Sequence, residues 1–192
     1  MKQRLLFGTN NQHKLREIRE ILHTQYEVLS LADVGIDMDV EETEPTLIGN
    51  AFLKADAFHK ASGLPTFSDD TGLEVDALNG APGVYTARYA GENATFQDNI
   101  TKMLKEMRGE SSRTARFRTV IAFVDGANRE AFEGIIEGAI TEAPRGEGGF
   151  GYDPIFQPEH HNTTFAEMNP DDKNAISHRG RALKKFSTHL LS

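Results

Sequence analysis

The run RLLFGTNN at positions 4–11 joins an apolar, strand-like segment to a polar turn. Residues 4–9 are predicted to form a strand, which the pair Asn10-Asn11 ends. Apolar residues then recur at helical spacing as far as Leu22, so a helix is predicted to follow the turn. A strand, a turn and a helix in this order are typical of an α/β protein.

The same order recurs in the next part of the chain. Residues 26–31 alternate partly like a strand, and residues 45–58 suit a helix with Pro in its first turn. Residues 66–68 form a further short predicted strand, which leads into the polar stretch DDTG at 69–72, and residues 73–77 then alternate between apolar and acidic as in a strand. Strands and helices therefore alternate through the first third of the chain.

The second half of the sequence changes the pattern. Thr95 begins a predicted helix and has Asp98 three residues later, as in a capping box. Two strand-like stretches, 117–124 and 131–140, flank the hairpin signal DGAN at 125–128, and a helix over 175–190 is predicted to close the chain. Alternation combined with a hairpin predicts an α/β fold whose sheet has strands of mixed direction.

Length and composition exclude several classes of protein. A chain of 192 residues is near the length of one domain, or of one domain with two lobes. Its 21 Lys and Arg against 29 Asp and Glu give a net charge of −8, which disfavours general nucleic-acid binding. The absence of Cys excludes disulfides, thiolate nucleophiles and zinc ribbons. No apolar run is long enough to cross a membrane or to act as a secretion signal, so we expect a cytoplasmic protein.

Charge is segregated along the sequence. The segment from Asp33 to Glu44 contains six acidic residues and neither Lys nor Arg, whereas residues 173–185 are rich in cations. Either run alone is typical of a solvated surface. Together they suit a site in which carboxylates hold a hard divalent cation and cations hold phosphate oxygens. Mg²⁺ is the cofactor predicted, because it needs only one or two carboxylates besides phosphates and water.

The glycine-rich segment GEGGFG at 146–151 matches a dinucleotide-binding pattern only in its letters. That fingerprint must follow a strand and open a helix, whereas here Pro144 precedes the segment and Pro154 follows it. The segment is better interpreted as a loop that approaches a flat ligand, with Phe150 and Tyr152 available to stack on a base. An ordinary turn with Phe150 in the core is the alternative.

Two further segments have residue types suited to phosphate chemistry. Residues 9–14, TNNQHK, lie where a strand meets a helix, so their backbone N–H groups could hold an anion, although taken alone the segment favours a simple helix cap, for which Asn is a preferred residue. The carboxylates of Asp69 and Asp70 lie at the predicted end of a strand, where successive side chains face opposite ways. They suit metal-assisted attack by water, and a polar turn is the alternative.

Five blocks of sequence together resemble the inosine triphosphate pyrophosphatase family. They are TNNQHK at 9–14, SDDTGL at 68–73, GAPGVYTARY at 80–89, GFGYDP at 149–154 and KNAISHR at 173–179. The resemblance implies an α/β fold with an elongated mixed β-sheet and two α/β lobes flanking a central cleft, in a homodimer. It also implies Mg²⁺-dependent hydrolysis of ITP, dITP and XTP to the monophosphate and pyrophosphate, which cleanses the nucleotide pool.

The resemblance also assigns roles to residues. Asp70 is implied as the catalytic acid/base and as a metal ligand, and Glu41 as the second metal ligand, with the choice between Glu41 and Glu42 left open. The family usually has Gly where this chain has Asn10. The implied contacts with the substrate are Thr9, Asn10, Asn11, Gln12, His13, Lys14, Lys54, Thr71, Phe150, Gly151, Tyr152, Asp153, Lys173, His178 and Arg179.

Two other functions are compatible with these residues. A pyrophosphatase for modified pyrimidine nucleotides needs the same metal and phosphate groups but a different base pocket. A nucleotide-binding module without turnover is the other alternative, and the paired carboxylates near a phosphate site argue against it.

Overall fold

The structure is a computed structural model and describes residues 2–191. Within that range the chain divides into two compact units. The first unit consists of residues 2–70, 119–134 and 179–191, and the second of residues 71–118 and 135–178. The sequence predicted one domain with two lobes, and that prediction is compatible with two units of this size.

In the described residues seven strands form one sheet in the order β2-β1-β3-β5-β6-β7, and β4 pairs with β3. Strand β1 is parallel to both β2 and β3, whereas β4 is antiparallel to β3 and β7 to β6. The predicted mixed α/β sheet is therefore confirmed. The strands are β1 (Gln3–Phe7), β2 (Tyr26–Leu29), β3 (Thr66–Val75), β4 (Pro82–Gly83), β5 (Thr114–Asp125), β6 (Asn128–Ile140) and β7 (Phe156–Pro158).

Five α-helices accompany the sheet over residues 2–191. The capping box predicted at Thr95 and Asp98 is present at the start of α3. In this part of the chain no helix is both long and apolar enough to span a bilayer. The helices are α1 (Gln12–Leu22), α2 (Leu47–Ser62), α3 (Phe96–Glu106), α4 (Pro170–Ile176) and α5 (His178–Leu190).

Two predicted boundaries were wrong. The closing helix predicted over 175–190 is two helices, because Ser177 between α4 and α5 has an extended backbone with ψ of 157°. The strand predicted over 66–68 continues through the DDTG stretch to Val75. Asp69 and Asp70 therefore lie inside a strand instead of at its end. These two acidic residues are tolerated there because cations on helices α1, α2 and α5 pair with them.

In the first unit, the strand that carries Asp69 and Asp70 is packed in an apolar core. Its main core packs α1 and α5 against β1, β3 and β5, with the rings of Phe7 and Phe67 stacked at 4.8 Å and Phe67 also in contact with Phe186. Gly8, which follows β1, allows close approach: a Cβ there would lie 2.3 Å from Ser68 Oγ. The segment that leads into α1 therefore lies directly beside β3.

The second unit has its own core, which surrounds β7 and α3. Phe117 on β5 packs edge-on against Phe156 with 4.7 Å between ring centroids, and Phe165 lies 5.2 Å from Phe156. Arg113 donates hydrogen bonds to the carbonyls of Met107 and Ile140, so it ties the end of α3 to the end of β6. The second unit also contains the loop over residues 149–154, GFGYDP.

Candidate functional site

Asp69 and Asp70 are neighbours on β3, and the alternation of a strand directs their side chains to opposite faces. Both residues are buried, with 1% and 6% of their surface exposed, so each carboxylate must be compensated by nearby cations. Each carboxylate has different cationic partners. The two adjacent aspartates therefore have different electrostatic environments.

Asp69 is in direct contact with two cations. Its Oδ1 accepts a hydrogen bond from Lys14 Nζ at 3.0 Å, and its Oδ2 lies 3.5 Å from Arg179 Nε. Although burial alone would raise the pKa of Asp69, the charges of Lys14, Arg179 and Lys54 outweigh it and lower that pKa to about 2. Asp69 is therefore ionised throughout the physiological range.

Asp70 is in a less favourable position for its charge. Burial raises the pKa of Asp70, and the nearby carboxylates of Glu42 and Asp69 raise it further, while Lys54 and Lys14 oppose the shift. Lys54 Nζ lies 3.6 Å from Asp70 Oδ1. The carboxylate of Asp70 is consequently more basic than an exposed aspartate.

Lys54 on α2 links Asp70 to the acidic segment. Its ammonium also donates a hydrogen bond to Glu42 Oε1. Burial opposes its charge, but the charges of Asp70 and Glu42 raise the pKa of Lys54 overall. The sequence left the choice between Glu41 and Glu42 open: Glu42 is the one paired with Lys54, whereas Glu41 is exposed.

The predicted anion-binding segment at 9–14 is organised by its own side chains. Asn11 caps α1, and its Oδ1 accepts the backbone N–H groups of His13 and Lys14. These two N–H groups therefore have a partner within the chain, which agrees with the alternative of a helix cap. Gln12 and His13 are exposed, while the side chain of Lys14 is mostly buried against Asp69.

Asn10, which replaces the glycine usual in the resembling family, is exposed and contacts the acidic segment. Its Nδ2 donates to Asp39 Oδ1 at 3.3 Å and, at 3.4 Å, to the carbonyl of Met38. Neighbouring Thr9 is half-buried, and its Oγ1 accepts the N–H of Asn11 at 3.1 Å. The segment from Thr9 to Lys14 is thus tied to its surroundings by polar contacts.

In the second unit, the aromatic loop predicted for base stacking is fixed by Asp153. The carboxylate of Asp153 accepts the N–H of Phe150 and the Nζ of Lys173, both at 2.8 Å. Lys173 Nζ also lies 5.0 Å from the centre of the Phe150 ring, within cation–π distance. Phe150 is half-buried, and Gly151 has φ of +61°, a left-handed backbone suited to glycine.

The other residues predicted to contact a nucleoside are mostly buried in this unit. The ring of His178 stacks on Phe117 with 4.6 Å between centroids and an interplanar angle of 14°. Tyr152 is buried, and its hydroxyl donates to the carbonyl of Thr86 at 2.9 Å. Thr71 is half-buried on β3. Tyr152 is thus held by the protein, and its prediction as a nucleoside contact stays a prediction.

Sequence reasoning brought several of these residues together but missed others. Lys14, Lys54, Asp70 and Arg179 all belong to the first unit, and so does Glu41. Glu17 was missed: it pairs with Arg179, which is 162 residues further along the chain, so local sequence held no signal for this contact. The role of Asp69 as the partner of both cations could not be read from local sequence.

The arrangement in the first unit can bind a polyphosphate together with a divalent cation. It has the ammonium groups of Lys14 and Lys54 for phosphate oxygens and carboxylates for a hard cation, while the more basic carboxylate of Asp70 is available to take a proton. In the described residues no group of three or more His, Asp or Glu is arranged as a complete metal cage. A Mg²⁺ ion that takes most of its ligands from phosphates and water does not need one.

Comparison with known proteins gives a consistent result. A model of the Ham1 family matches residues 5–189. A protein of Porphyromonas gingivalis (strain ATCC BAA-308 / W83) named dITP/XTP pyrophosphatase is 51% identical over 190 residues, which cover 98% of both chains. A protein of Bacillus subtilis (strain 168) with the same name is 48% identical over 194 residues, covering 99% of this chain and 98% of that relative.

Solved structures agree with the sequence relatives. The structure of a HAM1 protein from Coxiella burnetii superposes with a TM-score of 0.90 at 41% identity and covers 98% of both chains. The Ham1 protein of Staphylococcus aureus gives a TM-score of 0.88 at 39% identity, also over 98% of both chains. The sequence match and the fold therefore agree, and the chain belongs to the Ham1 family.

Proposed function

We propose that this chain is a Mg²⁺-dependent nucleoside-triphosphate pyrophosphatase that hydrolyses dITP, XTP and ITP to the monophosphate and pyrophosphate, and so cleanses the nucleotide pool. The names of its relatives support the reaction and the substrate class. The observation that carries the proposal is the buried pair of neighbouring carboxylates Asp69 and Asp70, which lie 3.0 Å from Lys14 Nζ and 3.6 Å from Lys54 Nζ respectively.

The cations of the first unit would bind the triphosphate. Lys14 and Lys54 have buried ammonium groups that are held by carboxylates, so their positions are fixed before a substrate arrives. Fixed charges stabilise the negative charge that develops on phosphate oxygens at little cost in reorganisation. This arrangement fits cleavage of a phosphoanhydride bond, which requires charge stabilisation and an aligned water.

Asp70 would act as the proton acceptor for the attacking water. Its buried carboxylate has a raised pKa, which makes it a stronger base than an exposed aspartate. Lys54, 3.6 Å from Asp70 Oδ1, keeps the carboxylate oriented. Because a proton acceptor must be ionised, protonation of Asp70 at low pH should lower the rate.

The donor set also fits a Mg²⁺ ion. Asp70 and Glu41 would hold it. We assign Glu41 instead of Glu42 because the carboxylate of Glu42 is paired with Lys54, whereas the described residues make no ion pair or hydrogen bond with the carboxylate of Glu41. The bound ion would neutralise phosphate charge. Glu42 would then keep Lys54 in place.

The second unit would recognise the nucleoside. Asp153 and Lys173 hold Phe150 half-buried, so its ring can stack on a base. A site built for a purine with a 6-keto group leaves polar groups unpaired when a 6-amino purine binds, which gives selectivity against ATP. The predicted homodimer and the cytoplasmic location stay predictions from sequence.

A nucleotide panel tests the proposed reaction. Pyrophosphate release would be measured with dITP, XTP, ITP, ATP, GTP and modified pyrimidine triphosphates, each with and without Mg²⁺. We expect release from the three non-standard purine nucleotides only with Mg²⁺, and equal amounts of monophosphate and pyrophosphate. Preference for a modified pyrimidine would replace the substrate assignment, and nucleotide binding without release from any substrate would contradict enzymatic function.

Substitution of Asp70 tests the proton acceptor. Asp70→Asn keeps the shape of the side chain and removes its charge, so kcat should fall by about 10²-fold or more while nucleotide binding persists. Turnover and calorimetric binding of XTP measure the two effects. Asp56→Asn, which changes an exposed carboxylate paired with Arg129, is the matched control and should have wild-type kinetics. A rate near that of the wild type in Asp70→Asn would remove Asp70 from this role.

The metal assignment predicts different results for two neighbouring glutamates. Glu41→Gln should raise the Mg²⁺ concentration needed for half-maximal rate by roughly 10-fold or more, because the ion loses one carboxylate. Glu42→Gln should lower the rate through Lys54 while that Mg²⁺ concentration stays close to the wild-type value. Mg²⁺ titrations of both variants measure this difference, and the reverse pattern would assign the ion to Glu42.

A further inference from the structure

Asp69 has no role in the reaction proposed above, although it is more deeply buried than Asp70. An ionised side chain inside a protein is retained only where several partners compensate it. Asp69 has such partners on two different helices: Lys14 on α1 and Arg179 on α5. Its two carboxylate oxygens are divided between them, Oδ1 towards Lys14 and Oδ2 towards Arg179.

Arg179 is in turn held on its other side. Its Nη1 pairs with Glu17 Oε2, and only 3% of the Arg179 side chain is exposed. Glu17 lies one helical turn after Lys14 on α1, so both residues are presented on the same face of that helix. Glu17, Arg179, Asp69 and Lys14, which we name the Asp69 cluster, thus form a continuous series of ion pairs within the first unit.

The Asp69 cluster constrains the position of one ammonium group. Lys side chains are flexible, and ordering one when a ligand binds costs conformational entropy. The hydrogen bond of 3.0 Å from Lys14 Nζ to Asp69 fixes the ammonium in the folded protein before any ligand binds. Burial disfavours the charged form and lowers the pKa of Lys14, and the charge of Asp69 opposes that effect.

We infer that Asp69 is a positioning residue, which holds the Lys14 ammonium oriented for the polyphosphate of the substrate and is itself anchored by Arg179. The inference rests on the proposed function, since it gives Lys14 a phosphate to bind. Asp69 would not touch the substrate. Its effect would pass through Lys14, so removal of Lys14 should abolish most of the effect of removing Asp69.

A double-mutant cycle tests this coupling. Four proteins would be compared: the wild type, Asp69→Asn, Lys14→Met and the double variant. Steady-state kinetics with XTP and Mg²⁺ would give KM and kcat, and calorimetry would give the Kd of inorganic tripolyphosphate in the presence of Mg²⁺. Thermal unfolding of each protein would show that it is folded, and Asp33→Asn, which changes an exposed carboxylate paired with Arg19, is the matched control.

Asp69→Asn should raise KM for XTP and Kd for tripolyphosphate on the order of 10- to 100-fold, with a smaller effect on kcat. In the Lys14→Met background the same change should add less than about 3-fold, because coupled residues are not additive. Equal effects of Asp69→Asn in both backgrounds would overturn the inference, as would an unchanged KM. Asp33→Asn should leave KM unchanged.

Asp69→Asn leaves Lys14 and Arg179 as buried cations of like charge, so a variant that keeps the negative charge is also needed. Asp69→Glu should remain folded and raise KM less than Asp69→Asn. Its longer side chain shifts the Lys14 ammonium but keeps a carboxylate as the partner of that ammonium. Rescue of KM by Asp69→Glu would support positioning, and a KM equal to that of a folded Asp69→Asn would contradict it. A wild type without pyrophosphate release would refute the proposed function instead, whereas wild-type turnover with additive effects would refute only the positioning role.

Discussion

The protonation states of Asp69 and Asp70 depend on the ion pair between Lys14 and Asp69. Asp69 is adjacent to Asp70 on one strand, and two neighbouring buried carboxylates repel each other, so both can be ionised only where cations compensate them. Lys14 and Arg179 supply that compensation for Asp69 and keep it ionised, with a pKa of about 2. Asp70 can therefore have a raised pKa without a second carboxyl group competing for the proton.

This compensation requires three elements to meet at one place in the first unit. Helix α1 contributes Lys14, α5 contributes Arg179, and β3 contributes Asp69. Phe67 on β3 contacts Phe186 on α5 and Phe7 on β1, the strand that precedes α1, so the apolar core holds the elements that carry these charges. Packing and electrostatics are consequently coupled: a change in the core would also move the charges.

Local sequence predicted those features that depend on neighbouring residues. The strand-to-helix unit at the start of the chain, the capping box at Thr95 and the mixed sheet all follow from periodicity and turn chemistry. The extent of β3 was not predictable in this way, because the polar residues Asp69 and Asp70 are stabilised in a strand by cations distant in sequence. The break at Ser177 was equally hidden, since apolar residues on both sides continue a helical pattern.

In the candidate site, too, individual residues could be predicted from sequence, whereas their long-range partners could not. Resemblance to a family supplied Lys14, Lys54, Asp70 and Arg179, and the structure places these four in one unit. It could not supply the partners that hold them, because ion pairs such as that between Glu17 and Arg179 join residues far apart in the chain. Long-range pairing of charges is a property of the folded chain, and only coordinates give it.

Carbon-13 nuclear magnetic resonance of the aspartate carboxyl groups, followed through the acidic range, measures the central claim directly. The account predicts that Asp69 titrates with a pKa of about 2, below its ordinary value of 3.8, and that Asp70 titrates above 3.8. The resonances would be assigned with the Asp69→Asn and Asp70→Asn variants. Titration of both groups at the ordinary value, or of Asp70 below Asp69, would contradict the account.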